Sequence, residues 1–463
     1  MRTLKRLAIT GLTATGLLTG TLAPLMATAQ PAPAAPVPDP VFDAAAKRQA
    51  VMAVAKLLTD DYIFPDKGAQ AAALLTQNLN AGKYDAAATP DDFAAALTAD
   101  LKGLTHDKHL RVFDFAPPKA FVPSKDDARR GPPPPPGKMS FGQVDRLKGN
   151  IGYIALDEFM PKGGFKHGAD SIMALVASTD ALIIDLRNNH GGDVAAVAYM
   201  DSFFFDGKTP VHVGDIVWRK AGTTNFDRQV FLTEPTPVSY AGKPVYLITS
   251  QDTFSGAEAF TYDMQVQKRA TVIGEVTGGG ANPGGWQPVG PSLFMFLPNG
   301  RAENPVTHTN WEGKGVQPDV PIPATQGFAT AYAAALKALG RPAPAAADTP
   351  EAVLDAHLAF TVRRTTPLPG SEATLRQWEA GMADGHPPRD IFSADGAMGA
   401  DKDVTFLQTD LSRRGALQNL VFAGVDPTGG DVYEATFADK SSIQFTIFLA
   451  PDGKIDTVVG EPY

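Results

Sequence analysis

Ser255 stands in Thr253-Phe254-Ser255-Gly256-Ala257-Glu258, directly after the apolar run Pro244-Val245-Tyr246-Leu247-Ile248-Thr249-Ser250. That short, β-branched run predicts a buried strand, and Ala257, Phe260 and Met264 then recur at helical spacing. A hydroxyl at such a strand-to-helix corner meets free backbone N–H groups and the positive end of a helix dipole, which suit a nucleophile and its developing oxyanion. Gly256 lets a substrate approach the backbone. The same Ser-x-x-Glu spacing, Ser255 to Glu258, is also a capping box that only satisfies a helix end. Two further groups could share the chemistry. His109, in the polar turn Thr105-His106-Asp107-Lys108-His109 ahead of a strand, is a base titrating near neutral pH. Gly191 and Gly192, in Arg187-Asn188-Asn189-His190-Gly191-Gly192, lie between a strand and a helix, where exposed N–H groups can hold an oxyanion or simply make a tight turn.

The chain has 463 residues, enough for two or three domains, and a formal charge of −9. Removing the basic start of the chain makes the balance more acidic still, which argues against nucleic acid or an anionic membrane as partner. Met1 to Ala29 reads as a secretory signal: Arg2, Lys5 and Arg6, an apolar run to Leu25, then Ala27-Thr28-Ala29 as a cleavage site. Export to a bacterial periplasm or exterior is the expectation, and no later segment is apolar enough to span a bilayer. With no cysteine, disulfides, thiolate metal sites and a thiol nucleophile are excluded. Neither a metal nor a cofactor is expected, since no G-x-G-x-x-G or Gly-Lys-Ser/Thr phosphate loop occurs.

The elements that must position these residues follow from periodicity. Residues 30–40 form a Pro/Ala linker. Val51, Val54, Leu58 and Tyr62 share one helical face; Phe93, Leu97 and Leu101 share another, behind Thr89 as cap and Pro90. Residues 41–115 are therefore read as an N-terminal helical subdomain, and 116–150, with Pro132 to Pro136, as a Pro-rich connector. Strands at Ile151–Leu156, Ala181–Leu186, Pro244–Ser250 and Ala270–Gly274, separated by helices, predict an α/β core over 151–340 with its sheet buried on both faces. Thr277 to Gly285 reads as a flexible glycine loop, and Leu293–Leu297 with the turn Pro298-Asn299-Gly300-Arg301 as a hairpin. A second Pro/Ala linker, 341–350, leads to an α+β accessory domain, 351–463, that resembles cystatin and nuclear-transport-factor-like cones.

Four segments together resemble the tail-specific, or C-terminal processing, peptidase family: Asp107 to Leu110, Ile184 to Gly192, Thr253 to Glu258 with Ile273 to Gly279, and Asn310 to Asp319. The resemblance spans roughly residues 45 to 335 and implies a crotonase-like (ClpP/crotonase) core with Ser255 as nucleophile. In the processing-protease branch a lysine in the glycine loop serves as base; here that loop holds Gly280 and Asn282, and Lys268 lies too early. The pattern looks more like the branch of the tricorn core and the interphotoreceptor retinoid-binding protein, without a PDZ domain. That branch implies His109 as base and Glu312 as a supporting carboxylate, with backbone N–H groups of Gly256 and of Gly191 or Gly192 as oxyanion hole. The function implied is a secreted or periplasmic serine endopeptidase acting on peptides or proteins. The alternative is a carrier for an apolar ligand on the same fold. His190 is read as a loop residue.

Overall fold

The computed structural model describes residues 42–114, 140–342, 353–357, 366–393, 396, 404–425, 430–450 and 452–462. The signal, the first linker, the Pro132–Pro136 stretch and residues 343–350 of the second linker lie outside them.

Three helices open the described chain: α1 (Ala44–Asp60), α2 (Pro65–Asn80) and α3 (Pro90–Thr105). Thr89 caps α3 by accepting from Asp92 N, with Pro90 and two aspartates in the first turn, as the sequence predicts. α2 is not legible in the apolar pattern because its buried stripe is Gly68, Ala71, Ala72 and a single leucine, Leu75. These helices pack on β1 (Arg111–Asp114), which joins β9 (Gly284–Pro288) and β10 (Leu293–Pro298) in the order β1-β10-β9. The helical subdomain therefore borrows part of its core, Leu293, Met295 and Leu297, from a hairpin far along the chain.

The central sheet has seven strands: β2 (Phe141–Leu147), β3 (Ile151–Leu156), β4 (Ala181–Asp185), β7 (Val245–Thr249), β8 (Thr271–Gly274), β12 (Val320–Pro321) and β13 (Leu354–His357). Their order is β12-β8-β7-β4-β3-β2-β13. The five from β12 to β3 are parallel, and β2 and β13 add antiparallel pairs. Alternation along β4 and β7 sends Leu182, Ile184, Val245 and Leu247 to one face and Ala181, Ile183, Tyr246 and Ile248 to the other. The first face is covered by α4 (Lys162–Val176), α5 (Val194–Ser202) and α6 (Gly256–Val266), the second by α7 (Gly327–Ala338). The sheet is thus buried on both sides, as its apolar strands require. It is wider than residues 151–340: β2 falls in the stretch read as connector and β13 in the stretch read as accessory domain.

The expected hairpin around Asn299-Gly300 is not formed. β10 pairs with β1 and β9, whereas β11 (Gly300–Glu303) crosses to a separate sheet, β11-β5-β6, with β5 (His212–Arg219) and β6 (Phe226–Leu232). The turn residues bond outward instead of to each other: Ile63 N donates to Pro298 O at 2.9 Å and Arg219 N to Asn299 O at 2.8 Å. The hairpin β5-β6 escaped the periodicity because most of β6 is exposed. The last segment carries α8 (Ser371–Ala383), α9 (Val404–Arg414) and a meander of β14 (Leu417–Val425), β15 (Asp431–Phe437), β16 (Ser442–Leu449) and β17 (Ile455–Pro462) around its own core. Among the described residues no helix is long and apolar enough to cross a membrane.

Candidate active site

Ser255 terminates the turn after β7 and caps α6 with φ 54° and ψ −119°, a left-handed backbone that a serine rarely adopts. Hydrogen bonds to the neighbouring β4 loop hold this corner. Thr253 Oγ1 donates to Leu186 O at 2.8 Å, Ser250 Oγ to Arg187 O at 2.6 Å, and Phe254 N to Asn189 O at 3.0 Å. The β4 loop is braced in turn by Asp185, which accepts from Tyr153 Oη at 2.9 Å and from Arg187 Nη2 at 2.5 Å.

The twin glycines meet the serine directly. Both have left-handed φ, 107° and 132°, and neither tolerates a side chain. A Cβ on Gly191 would stand 2.7 Å from Ser255 Cβ and 2.6 Å from Gly256 N; one on Gly192 would stand 1.9 Å from Phe159 O. Gly191 N–H is occupied, donating to Asn189 Oδ1 at 2.8 Å. Gly192 N lies 3.1 Å from the Cβ position of Gly256, so these two backbones are in contact. His190 is exposed on the same loop, its Nδ1 3.2 Å from Asp252 O.

Glu258 does more than cap a helix. Fully buried, its carboxylate accepts from Ser255 N (2.9 Å), Gly279 N (2.6 Å), Gly280 N (2.8 Å) and Thr277 Oγ1 (2.5 Å). It pins the glycine loop, expected to be flexible, to the serine corner. Burial pushes its pKa up, opposed by these four donors. The Ser-x-x-Glu spacing pointed at this residue, but the loop partners are contributed from another part of the chain.

His109 ends the turn after α3 and keeps 7 % exposure. Its ring lies against Phe254, centroids 4.6 Å apart, and stacks on Phe296 of β10 at 5.7 Å. A Cβ on Gly280 would come 2.7 Å from His109 Cε1. The imidazole therefore packs between the residue preceding the nucleophile candidate and the glycine loop. Among the described residues no hydrogen bond joins it to Ser255, and Nδ1 is buried without a partner. Burial first, then the charges of Arg111 and Lys102, lowers its pKa to about 4. The ordinary value near neutrality that the sequence suggests is lost to this desolvation.

Behind His109 sits a carboxylate pair. Asp107 accepts from His109 N at 3.0 Å, Asn282 Nδ2 at 2.9 Å and Tyr62 Oη at 3.1 Å. Glu312 accepts from Ala281 N at 2.6 Å through Oε2, while Oε1 is buried and unpartnered. Burial, then the nearby Asp107 charge, raises the Glu312 pKa to about 7. Trp311 fixes that turn by donating to Gly280 O at 2.8 Å. The structure thus brings Ser255, Gly256, Gly191, Gly192, His109 and Glu312 around one glycine loop. Asp107, Asn282 and Asn189 also hold the site together, and the sequence analysis gave them no role of their own. Of these, Asp107 carried a signal: an aspartate two residues before an N–H it can accept from. Among the described residues no group of His, Asp and Glu could hold a metal ion.

Residues 150–322 match the model of peptidase family S41, and residues 44–142 match the N-terminal domain of that peptidase family in eukaryotic IRBP. Solved structures similar to this chain include the photosystem II D1 C-terminal processing protease, 14 % identical over 60 % of this chain and 93 % of that one, TM-score 0.39. A putative peptidase from Parabacteroides merdae is 19 % identical, covering 64 % of this chain and 94 % of its own, TM-score 0.44. The tricorn protease is 13 % identical over 64 % of this chain and 36 % of that one, TM-score 0.36.

Proposed function

The chain belongs to peptidase family S41, and from that premise we propose that it is an exported serine endopeptidase with a crotonase-like core, in which Ser255 attacks the peptide carbonyl and His109 is the base. The observation that carries this reading is the contact of three distant segments, the Ser255 corner, the twin-glycine turn and the His109 turn, around the loop 277–282. Ser255 Oγ bonds to the carbonyl carbon while its proton passes to His109, which returns it to the leaving amine as the C–N bond breaks. Water then attacks the acyl-enzyme by the same route, and Ser255 is restored.

The oxyanion falls to the N–H groups of Gly256 and Gly192, since Gly191 already donates to Asn189. Its burial, which lowers the pKa to about 4, keeps His109 neutral throughout the physiological range and so free to accept a proton. Glu312, with Oε1 unpartnered, supports the imidazolium that forms during the reaction. Labelling with a fluorophosphonate, followed by mass spectrometry of peptide cleavage products, tests the reading. Native protein reacting no faster than Ser255→Ala would end it and leave a binding role. Export is tested separately, by fractionation and N-terminal sequencing of the mature chain.

A further inference from the structure

Helix α4 cannot close its own N-terminus. It opens on Pro161-Lys162-Gly163-Gly164, where Pro161 at the cap has no side-chain acceptor to offer and two glycines in the first turn disfavour a helix. The missing cap comes from β17, 293 residues further on: Thr457 Oγ1 accepts from Gly164 N at 3.0 Å. The glycines are needed for this approach. A Cβ on Gly163 would stand 2.3 Å from Asp456 O, and one on Gly164 would stand 3.0 Å from Phe448 Cδ2 on β16. One turn along, His167 Nε2 lies 2.8 Å from Asp456 Oδ2. The last segment thus contributes none of the residues gathered around the glycine loop, yet it completes a helix of the α/β layer.

The same first turn of α4 also reaches the twin-glycine turn, through one residue. Phe165 packs on Phe159, ring centroids 5.4 Å apart, and Phe159 packs on Phe260 of α6 at 5.8 Å. The Phe159 backbone forms a parallel bridge with Gly192: its N–H donates to Gly191 O at 2.8 Å, and its O accepts from Asp193 N at 2.7 Å. Phe159 O also fills the place where a Cβ of Gly192 would stand. Phe159 is therefore a wall shared by the helix that β17 caps and the turn that carries the Gly192 N–H.

We propose that the last segment is a clamp on the oxyanion turn: docked through Thr457, Asp456 and Phe448, it fixes the start of α4, and α4 fixes Phe159 against Gly191 and Gly192. Thr457 and Gly163 are positioning residues, since neither touches the reacting atoms. An N–H stabilises an oxyanion only from hydrogen-bond distance, so a turn that drifts loses that donor in the transition state first. A loosened clamp weakens transition-state binding and leaves substrate binding nearly as it was. The clamp rests on the peptidase reading.

The test uses the full chain carrying Thr457→Val, which removes the acceptor and keeps the shape, or Gly163→Ala, which meets Asp456 O while improving the helix propensity of α4 itself. A loss in Gly163→Ala thus comes from docking and not from the helix. Steady-state cleavage of one peptide is measured beside inhibition by its trifluoromethyl ketone, whose adduct with Ser255 carries an oxyanion, and by the matching alcohol, which forms none. Hydrogen exchange over residues 159–167 and 189–193 reports how firmly the two stretches are held. In both variants exchange should rise in both stretches, kcat and ketone affinity should fall together by about tenfold, and KM and alcohol affinity should stay within about twofold. Val421→Ser, on the exposed side of β14, should change none of these.

Exchange that rises while kcat and ketone affinity hold would overturn the clamp. So would exchange unchanged in both variants, or a loss shared equally by ketone and alcohol. Thr457→Val keeps the test open if Gly163→Ala fails to fold. Each of those results, obtained with wild type that still labels with a fluorophosphonate, spares the peptidase. Wild type that neither labels nor binds the ketone ends the peptidase reading, and the clamp with it.

Discussion

The two halves of the site are built in opposite ways. Around Ser255 the described polar groups find partners: Glu258 takes four donors, and Thr253, Ser250 and Asn189 knit the corner to the β4 loop. Around His109 only Asp107 is fully served, by His109 N, Asn282 Nδ2 and Tyr62 Oη. His109 Nδ1, Asn282 Oδ1 and Glu312 Oε1 are all buried and unpartnered, and the Asp107 charge adds to the burial that makes Glu312 costly to ionise. Buried polar atoms without partners are destabilising and uncommon, so a concentration of them in one place marks where stability has been surrendered for chemistry. The Ser255 half is a rigid stage; the His109 half is held under electrostatic tension.

That contrast can be broken in four ways, from the largest effect to the smallest. Ser255→Ala should reduce peptide cleavage by about 10⁴-fold or more with little change in melting temperature, measured by steady-state kinetics and thermal denaturation. A large loss of stability would show the serine to be chiefly a cap. His109→Ala should abolish cleavage as well, at a smaller cost in stability than Glu258→Ala, since the packing lost against Phe254 and Phe296 is offset by removal of a desolvated, unpartnered nitrogen. Activity that survives would point to another base.

Glu258→Ala strands four donors at once and should destabilise by roughly 3 kcal/mol or more, seen as a fall in the urea midpoint. A neutral result would mean that the rigid stage is not rigid. The smallest effect concerns pH. A His109 pKa lowered to about 4 means the native state binds fewer protons than the unfolded one between pH 4 and 6.5, so this group's share of stability falls as pH drops through that window. Glu312, raised to about 7, has the opposite sign: its share is present below about pH 4.5 and is lost as pH rises toward 7. Asp107→Asn removes the nearby charge and should lower the Glu312 pKa, moving the corresponding limb of the activity profile to lower pH. An unmoved profile would remove Asp107 from the electrostatics of the site.

The stage was legible and the tension was not. Ser255 at a strand-to-helix corner, Gly191-Gly192 after a strand, and Thr89-Pro90 opening a helix each follow from residues within a few positions of one another. The Asn299-Gly300 bend carried an equally local signal and misled, because Pro298 and Asn299 carbonyls bond to Ile63 and Arg219 rather than across a hairpin. Glu258 was half legible: its capping partner Ser255 is three residues away, its loop partners about twenty.

By itself the sequence determined the alternating strands and helices of a two-faced sheet, the absence of thiol chemistry and the corner that carries a hydroxyl. These depend on periodicity and on short-range backbone geometry, which neighbouring residues dictate. Only the tertiary structure decided that His109 is desolvated between Phe254 and Phe296 and that Glu312 shares its surroundings with Asp107. Burial and charge proximity are properties of segments far apart in the chain, and no local pattern encodes them.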